Sequence, residues 1–263
     1  ETGGDIAVLD MVRLEAEAFQ RIREAFGKIA SISPVFEHAD RTDLFFTRSN
    51  NTDHINGPEI HSGLDFAIIN AHCRPIVDAQ FDSALSHDAL PVMVSFGGAD
   101  ADNHSRLIVE TLSEVRQPLL LWLMLGDGYL HSHDQLVDAL RHEKHHEIIM
   151  ARTNRSMWSV AANCAVGILS SGMSTIEAIY AGLPVVSILR ANDPAHQLQT
   201  DYGRMCLDGG GFPDGSYRQV AGLIENLAEN RDRLRRMRAR QHGLIDGKAP
   251  LRILKILEAR HAG

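Results

Sequence analysis

The chain has no run of about 18 apolar residues, so neither a transmembrane helix nor stable membrane insertion is expected. Its longest apolar stretch, PLLLWLML at residues 118–125, has the length of a strand. Positive charge is also short: 26 Lys and Arg against 34 Asp and Glu leave a net charge of −8, which argues against nucleic acid as a partner. Cysteine is scarce. Cys73, Cys164 and Cys206 have neither metal nor redox spacing, and their odd number and wide separation point to buried thiols in a reducing cytoplasm. There is no G-x-S-x-G elbow, no P-loop and no G-x-G-x-x-G, which removes the main support for serine-hydrolase, kinase and NAD-dependent chemistry. No cofactor is expected.

What is present is patterned. The chain has 263 residues, 44% of them hydrophobic, enough for one large or two medium cores. Strand-like runs alternate with helical periodicity, which predicts an α/β protein with parallel sheets. Strands are expected at 6–9, 28–33, 43–47, 91–96, 119–125, 147–151, 166–170 and 185–189. Helices are expected at 11–26, 100–115, 134–141, 156–163, 220–240 and 251–259. Residues 66–69 form another short apolar run, 80–90 reads as a linker, and Gly209-Gly-Gly211 as a loop. The expected units are 1–88, the back half of a Rossmann-like domain; 89–247, a complete doubly wound nucleotide-binding domain; and 248–263, a C-terminal helix. The chain starts on Glu1 rather than Met, so either something was removed upstream or this is a piece of a longer protein. The arginines at 231, 233, 235, 236, 238 and 240 read as a solvated helix face.

The most informative run is VGILSSGMSTIEAIYAGLPVVS at 166–187. It predicts a strand, a tight Ser/Gly turn, a helix opening on Ser174 and Thr175, a stop at Gly182 and a second strand. A helix N-terminus after a glycine turn offers free backbone N–H groups and the positive end of a dipole, a seat for phosphate. Glu177, expected in the first turn, can accept hydrogen bonds from a pair of sugar hydroxyls. Ser95-Phe-Gly-Gly-Ala-Asp100 predicts a second strand–glycine–helix turn. In open α/β sheets ligands sit at the carboxyl ends of strands, so Gly97 and Gly98 with Ser171 to Thr175 form one candidate nucleotide site.

Other candidates have plainer readings beside them. His142-Glu-Lys-His-His146 matches H-E-x-x-H, but it straddles a helix end and a strand start, so no metal site is expected. Asp10 follows the first strand, where it would serve either as a functional carboxylate or, more ordinarily, as a helix N-cap. Asn192 and Asp193 follow strand 185–189 and would either read a ligand or make a turn ahead of Pro194.

Taken in order, these residues resemble the nucleotide-sugar hydrolases of nonulosonic (pseudaminic-type) acid biosynthesis, relatives of the GT-B glycosyltransferases. Ile6-Ala-Val-Leu-Asp10 looks like the family's strand ending in V-D, and Gly63-Leu-Asp-Phe-Ala-Ile-Ile69 like G-x-x-Y-A-L-L. Residues 95–103, SFGGADADN, look like S-F-G-G-S-D-P-x-N, and residues 172–184 like G-S-T-x-x-E-x-x-x-x-G-L-P. Asn192-Asp193 stands where the family has N-Q, and residues 244–252 look like the closing I-D-G-x-G-x-x-R. The resemblance implies two Rossmann-like domains of GT-B type with UDP-sugar between them. Gly172, Met173, Ser174 and Thr175 would hold the diphosphate and Glu177 the ribose, while Gly97, Gly98 and Asn192 would line the cleft. It also implies metal-free attack of water at the anomeric carbon, with a glycosyltransferase or a non-catalytic nucleotide-sugar-binding module as alternatives. The family's G-T-G-H segment, with its presumed general-base His, has no match here, and Val12 stands where the family has Tyr.

Overall fold

The computed structural model of the chain describes residues 5–33, 35–141, 145–152, 157–189, 205–211 and 217–261. In chain order its elements begin β1 (Ile6–Leu9), α1 (Ala16–Ala25), β2 (Lys28–Ser31), β3 (Leu44–Thr47), β4 (Glu59–Ser62), α2 (Asp78–Ser86) and β5 (Leu90–Ser95). There follow α3 (His104–Leu112), β6 (Leu119–Leu125), α4 (His133–Arg141), β7 (Glu147–Arg152), α5 (Met157–Ala161), β8 (Val166–Ser170) and α6 (Met173–Ala181). The last are β9 (Val185–Leu189), β10 (Leu207–Gly211), α7 (Tyr217–Glu229), α8 (Arg231–Gln241) and α9 (Ala249–His261). Every strand pairing is parallel. No described helix is long and apolar enough to cross a membrane.

The chain forms two compact units. The first comprises the described residues up to Ile69 together with those from Ile245 onward. Its four strands run in the order β1-β2-β3-β4. Because successive strand residues face opposite ways, Ile29 packs with Phe19 of α1 on one face, and Ala30 packs with Ile253 of α9 on the other. β3 is buried at all four positions, which is why its sequence, LFFT, is apolar almost throughout. In the first turn of α9, Arg252 donates to both oxygens of Asp246 (2.8 and 2.6 Å) and holds that carboxyl well below the usual carboxylate range.

The second unit, Asn70–Asn192 with Tyr202–Leu244, carries a six-stranded sheet in the order β10-β9-β8-β5-β6-β7. The chain builds β5, β6 and β7 outward in one direction, returns to lay β8 against the other side of β5, and continues to β9 and β10. This is the doubly wound order, with its switch point between β5 and β8. Residues 70–88, expected with the first unit, are counted with the second here.

Several local expectations differ from the structure, each for a physical reason. Residues 78–86 are helix α2 rather than linker: Phe81, Ala84 and Leu85, at i, i+3 and i+4 spacing, are all buried. Gly209-Gly-Gly211 belongs to strand β10 rather than a loop. A side chain at Gly209 would press on Val186, Ser187 and Ile188 of β9, so glycine there permits close strand approach. The long helix expected over 220–240 is two helices, broken at Asn230, whose backbone (φ −126°, ψ 72°) leaves the helical region. Residues 64–66, leading into the short apolar run at 66–69, form a 3₁₀ turn. β4, which sequence reading missed, is a strand with only intermediate or exposed residues.

Arg235, Arg236 and Arg240 of α8 are exposed, as a solvated face requires, but Arg231 and Arg238 turn inward. Arg231 donates to the carbonyls of Leu85, His87 and Asp88, closing the C-terminal end of α2. Arg238 donates to the carbonyls of Gly182 and Ile76 and to Asp78, and its guanidinium lies 4.7 Å from the Phe81 ring centroid. A charged side chain that turns inward to satisfy carbonyls at a helix C-terminus is acting on the dipole and the unpaired acceptors there.

Candidate functional site

The carboxyl ends of β5 and β8 are neighbours, with Ser95 paired to Leu169 across the ladder. The glycine turns that follow the two strands therefore open at the same sheet edge. After β8, Ser171 gives its N–H to the Ile188 carbonyl (2.9 Å), and Gly172 follows at φ 155°, ψ −152°. Helix α6 begins at Met173, one residue before the expected start, and carries no side-chain cap. The N–H groups of its first turn thus have no partner within the helix. The Ser171 hydroxyl is buried and unpartnered. A Cβ placed at Gly97, Gly98 or Gly172 would meet nothing within 4 Å, so the backbone of both turns faces open space.

Not every predicted site residue presents itself as expected. The Thr175 hydroxyl is buried and donates to the Ser170 carbonyl (3.0 Å); it ties the helix to the strand end and leaves its backbone N–H as the group available to a ligand. Ser174 is half-buried and Met173 exposed. Glu177 lies one turn further into α6 than expected and is nearly buried. Its Oε1 accepts the Asn70 N–H at 3.0 Å. Burial pushes this carboxyl above its ordinary range, and the bond from Asn70 pulls it partly back. The segment from Asn70 onward runs along α6, since the Cys73 thiol reaches the Glu177 carbonyl (3.4 Å) and the Ile76 N–H the Ala181 carbonyl (2.8 Å). Burial raises the Cys73 thiol to about 12, so it is not a nucleophile at neutral pH. Asn192 and Asp193 lie outside the described residues.

The remaining candidates separate. Asp10 is exposed at the carboxyl end of β1, but α1 starts six residues later with Glu15 as its N-cap, so Asp10 does not cap it. Of the H-E-x-x-H stretch, His142, Glu143 and Lys144 lie outside the described residues. His146 is in no helix; its Nε2 bonds the Leu112 carbonyl (2.8 Å) and its Nδ1 faces the Leu119 N–H (3.3 Å). A separate cavity of about 530 Å³ lies between α2 and α8. Its charged walls pair with one another, Arg238 with Asp78 and Arg235 with Asp82. It sits at the C-terminal end of α6, about 13 Å along the helix from the glycine turns.

Sequence reading missed the loop after β6. Gly126 packs backbone to backbone on Gly98, so a Cβ there would overlap the Gly98 carbonyl. The pair Gly126 and Gly128 directly after a buried strand was the available signal.

With this geometry in view, the comparisons with known proteins are informative about fold. No protein-family model matches the chain. An uncharacterized protein of Methanocaldococcus jannaschii, MJ1062, is 20% identical over 214 residues, covering 75% of this chain and 43% of that protein. The chain thus spans less than half the length of that curated relative. Among solved structures, the pneumococcal O-GlcNAc transferase GtfA in complex with UDP and GlcNAc superposes with a TM-score of 0.65 at 15% identity, over 98% of this chain and 57% of that one. Acinetobacter baumannii MurG gives 0.59 at 13% identity, over 88% and 66%. The UDP complex of S. aureus MnaA gives 0.59 at 12% identity, over 95% and 74%. The chain has a GT-B-like α/β fold built on two parallel sheets.

Proposed function

We propose that the second unit holds the nucleoside diphosphate of an activated sugar, and that the protein uses this nucleotide-sugar, UDP-linked in the first instance, as a glycosyl donor. The observation that carries this is the pair of glycine turns at the β5/β8 switch point, where Gly97, Gly98 and Gly172 leave room for a ligand against the uncapped start of α6. The first-turn N–H groups of Met173, Ser174 and Thr175 and the buried Ser171 hydroxyl would receive the diphosphate. Glu177, one turn deeper, would accept the ribose hydroxyls. Charge gathers on the departing diphosphate oxygen as the anomeric bond breaks, and fixed N–H donors aimed there lower the barrier. Two solved structures with this fold were determined with UDP bound, one of them with GlcNAc as well, which favours the same ligand class here.

Transfer to an acceptor hydroxyl is the reading the fold relatives favour. Hydrolysis is the second, favoured by the ordered motif resemblance of residues 6–10, 63–69, 95–103, 172–184 and 244–252. The general base is unassigned, with Asp10 as the side chain to test; Asn192 and Asp193 would contact the nucleotide. The two readings part on one assay: release of free sugar and UDP without any acceptor is hydrolysis, and strict dependence on an acceptor is transfer. Binding without either turnover would leave a nucleotide-sugar-binding module.

The site itself has a clean test in Gly98→Val. Gly98 has no positive φ and has space at its Cβ, so the fold should tolerate the side chain, while the isopropyl group would occupy the ligand's place. The expected result is an unchanged melting temperature without ligand and UDP affinity lowered at least about tenfold by calorimetry. Full-strength UDP binding by the folded variant would contradict the site assignment.

A further inference from the structure

We infer that Tyr129 and His131, on the loop after β6, are positioning residues that hold the glycine turn after β5 in its ligand-ready shape; the ligand half of this rests on the nucleotide-sugar reading above. Only two non-glycine residues in the described chain have positive φ, Asp100 at 43° and Asn103 at 55°, and both lie in this one turn. Left-handed backbone at such residues is sparsely populated, and it persists where surrounding contacts enforce it.

Those contacts come from the β6 loop, one to each strained residue. His131 bonds the Asp100 carbonyl through Nε2 (2.7 Å), an acceptor that also takes the Asn103 N–H (2.8 Å). The Tyr129 hydroxyl donates to Asn103 Oδ1 (2.8 Å). Between them, the Leu130 N–H donates to the Ala99 carbonyl (3.2 Å), and Gly126 backs directly onto Gly98. The strained conformation has a use within the turn. It brings the buried Asp100 carboxylate under the start of α3, where it accepts the N–H groups of His104 (2.8 Å) and Ser105 (2.9 Å). Asp100 thus fills the anion seat of α3 with its own carboxylate. That leaves Gly97 and Gly98, at the head of the turn, as the stretch whose backbone faces open space. Tyr129 and His131 fix the far side of that stretch without themselves meeting the diphosphate.

The test uses Tyr129→Phe and His131→Ala, with His131→Gln as the conservative variant that keeps an N–H donor. Amide hydrogen exchange in ligand-free protein reads the turn directly. Exchange across residues 97–103 should quicken by about tenfold in Tyr129→Phe and His131→Ala, the scale of one hydrogen bond, with β8 and α6 unaffected and with recovery in His131→Gln. Calorimetry should give UDP affinity lowered by a similar factor and uridine affinity unchanged, because only the diphosphate depends on the turn. Unaltered exchange in both variants overturns the inference whatever the ligand does. Faster exchange with full UDP affinity overturns the positioning role. A wild-type protein that binds none of UDP, CDP, GDP or dTDP would overturn the nucleotide reading and the ligand half of this one with it, while the exchange experiment still decides whether the two side chains hold the turn.

Discussion

Arg238→Ala should cost the protein about 3 kcal/mol of stability. Its guanidinium satisfies the carbonyl of Gly182 at the end of α6 and that of Ile76 in the segment leading to α2, pairs with Asp78, and covers the Phe81 ring. Truncation removes the donors and leaves the two part-buried carbonyls without them. The loss rests on the two carbonyls, because the ion-pair partner Asp78 is 93% exposed and that pair is screened by solvent. At roughly 2–4 °C per kcal/mol for a chain of this size, the melting temperature should fall by roughly 6–12 °C. Arg238→Lys should recover only part of this, because one ammonium cannot reproduce the planar fork that reaches two carbonyls at once. A melting temperature unchanged within experimental error in Arg238→Ala would show that the carbonyls are satisfied some other way.

Glu177→Gln should move stability and binding in opposite directions. Burial raises the native carboxyl above its ordinary range, so between the unfolded and the native pKa the folded protein holds a proton the unfolded chain has released. Stability from this group is therefore complete below the unfolded value of about 4.3 and is lost as the pH rises through the native one. Above its native pKa, wild type carries a charged, largely desolvated carboxylate whose Oε1 accepts the Asn70 N–H. Glutamine keeps that acceptor and removes the charge, so the variant should melt higher than wild type above the native pKa, with the gap closing as the pH falls toward the unfolded value. The same substitution removes the charge that would grip the ribose hydroxyls, and UDP affinity should fall by about 1–3 kcal/mol. Such opposition is expected where a site residue is kept at a cost to the fold. Parallel melting curves at every pH would refute the linkage, and undiminished UDP affinity would refute the ribose role.

How far the site could be read in advance differs residue by residue. The strand–turn–helix at 166–187 was legible because its signals are local: a buried apolar strand, glycine where the turn needs it, and Gly182 in the left-handed conformation that ends α6. The same holds for β6, whose seven residues were read to the exact ends. Glu177 was found by type but misplaced in environment, since nothing in the sequence says that Asn70, 107 positions away, bonds its carboxylate. Strand β10 was read as a loop because glycine is a poor strand former in isolation; its place is made by the side chains of β9.

The sequence by itself determined the alternation of strands and helices, the parallel class of sheet and the two glycine turns proposed as a phosphate seat, because periodicity and turn chemistry act over a few neighbouring residues. Only the tertiary structure decided that the turns stand side by side at a switch point, that Arg231 and Arg238 of α8 face inward, and that Tyr129 and His131 bond Asn103 and Asp100. Those facts depend on which strands and loops become neighbours after the chain crosses from β7 back to β8, a long-range outcome of burying both sheet faces.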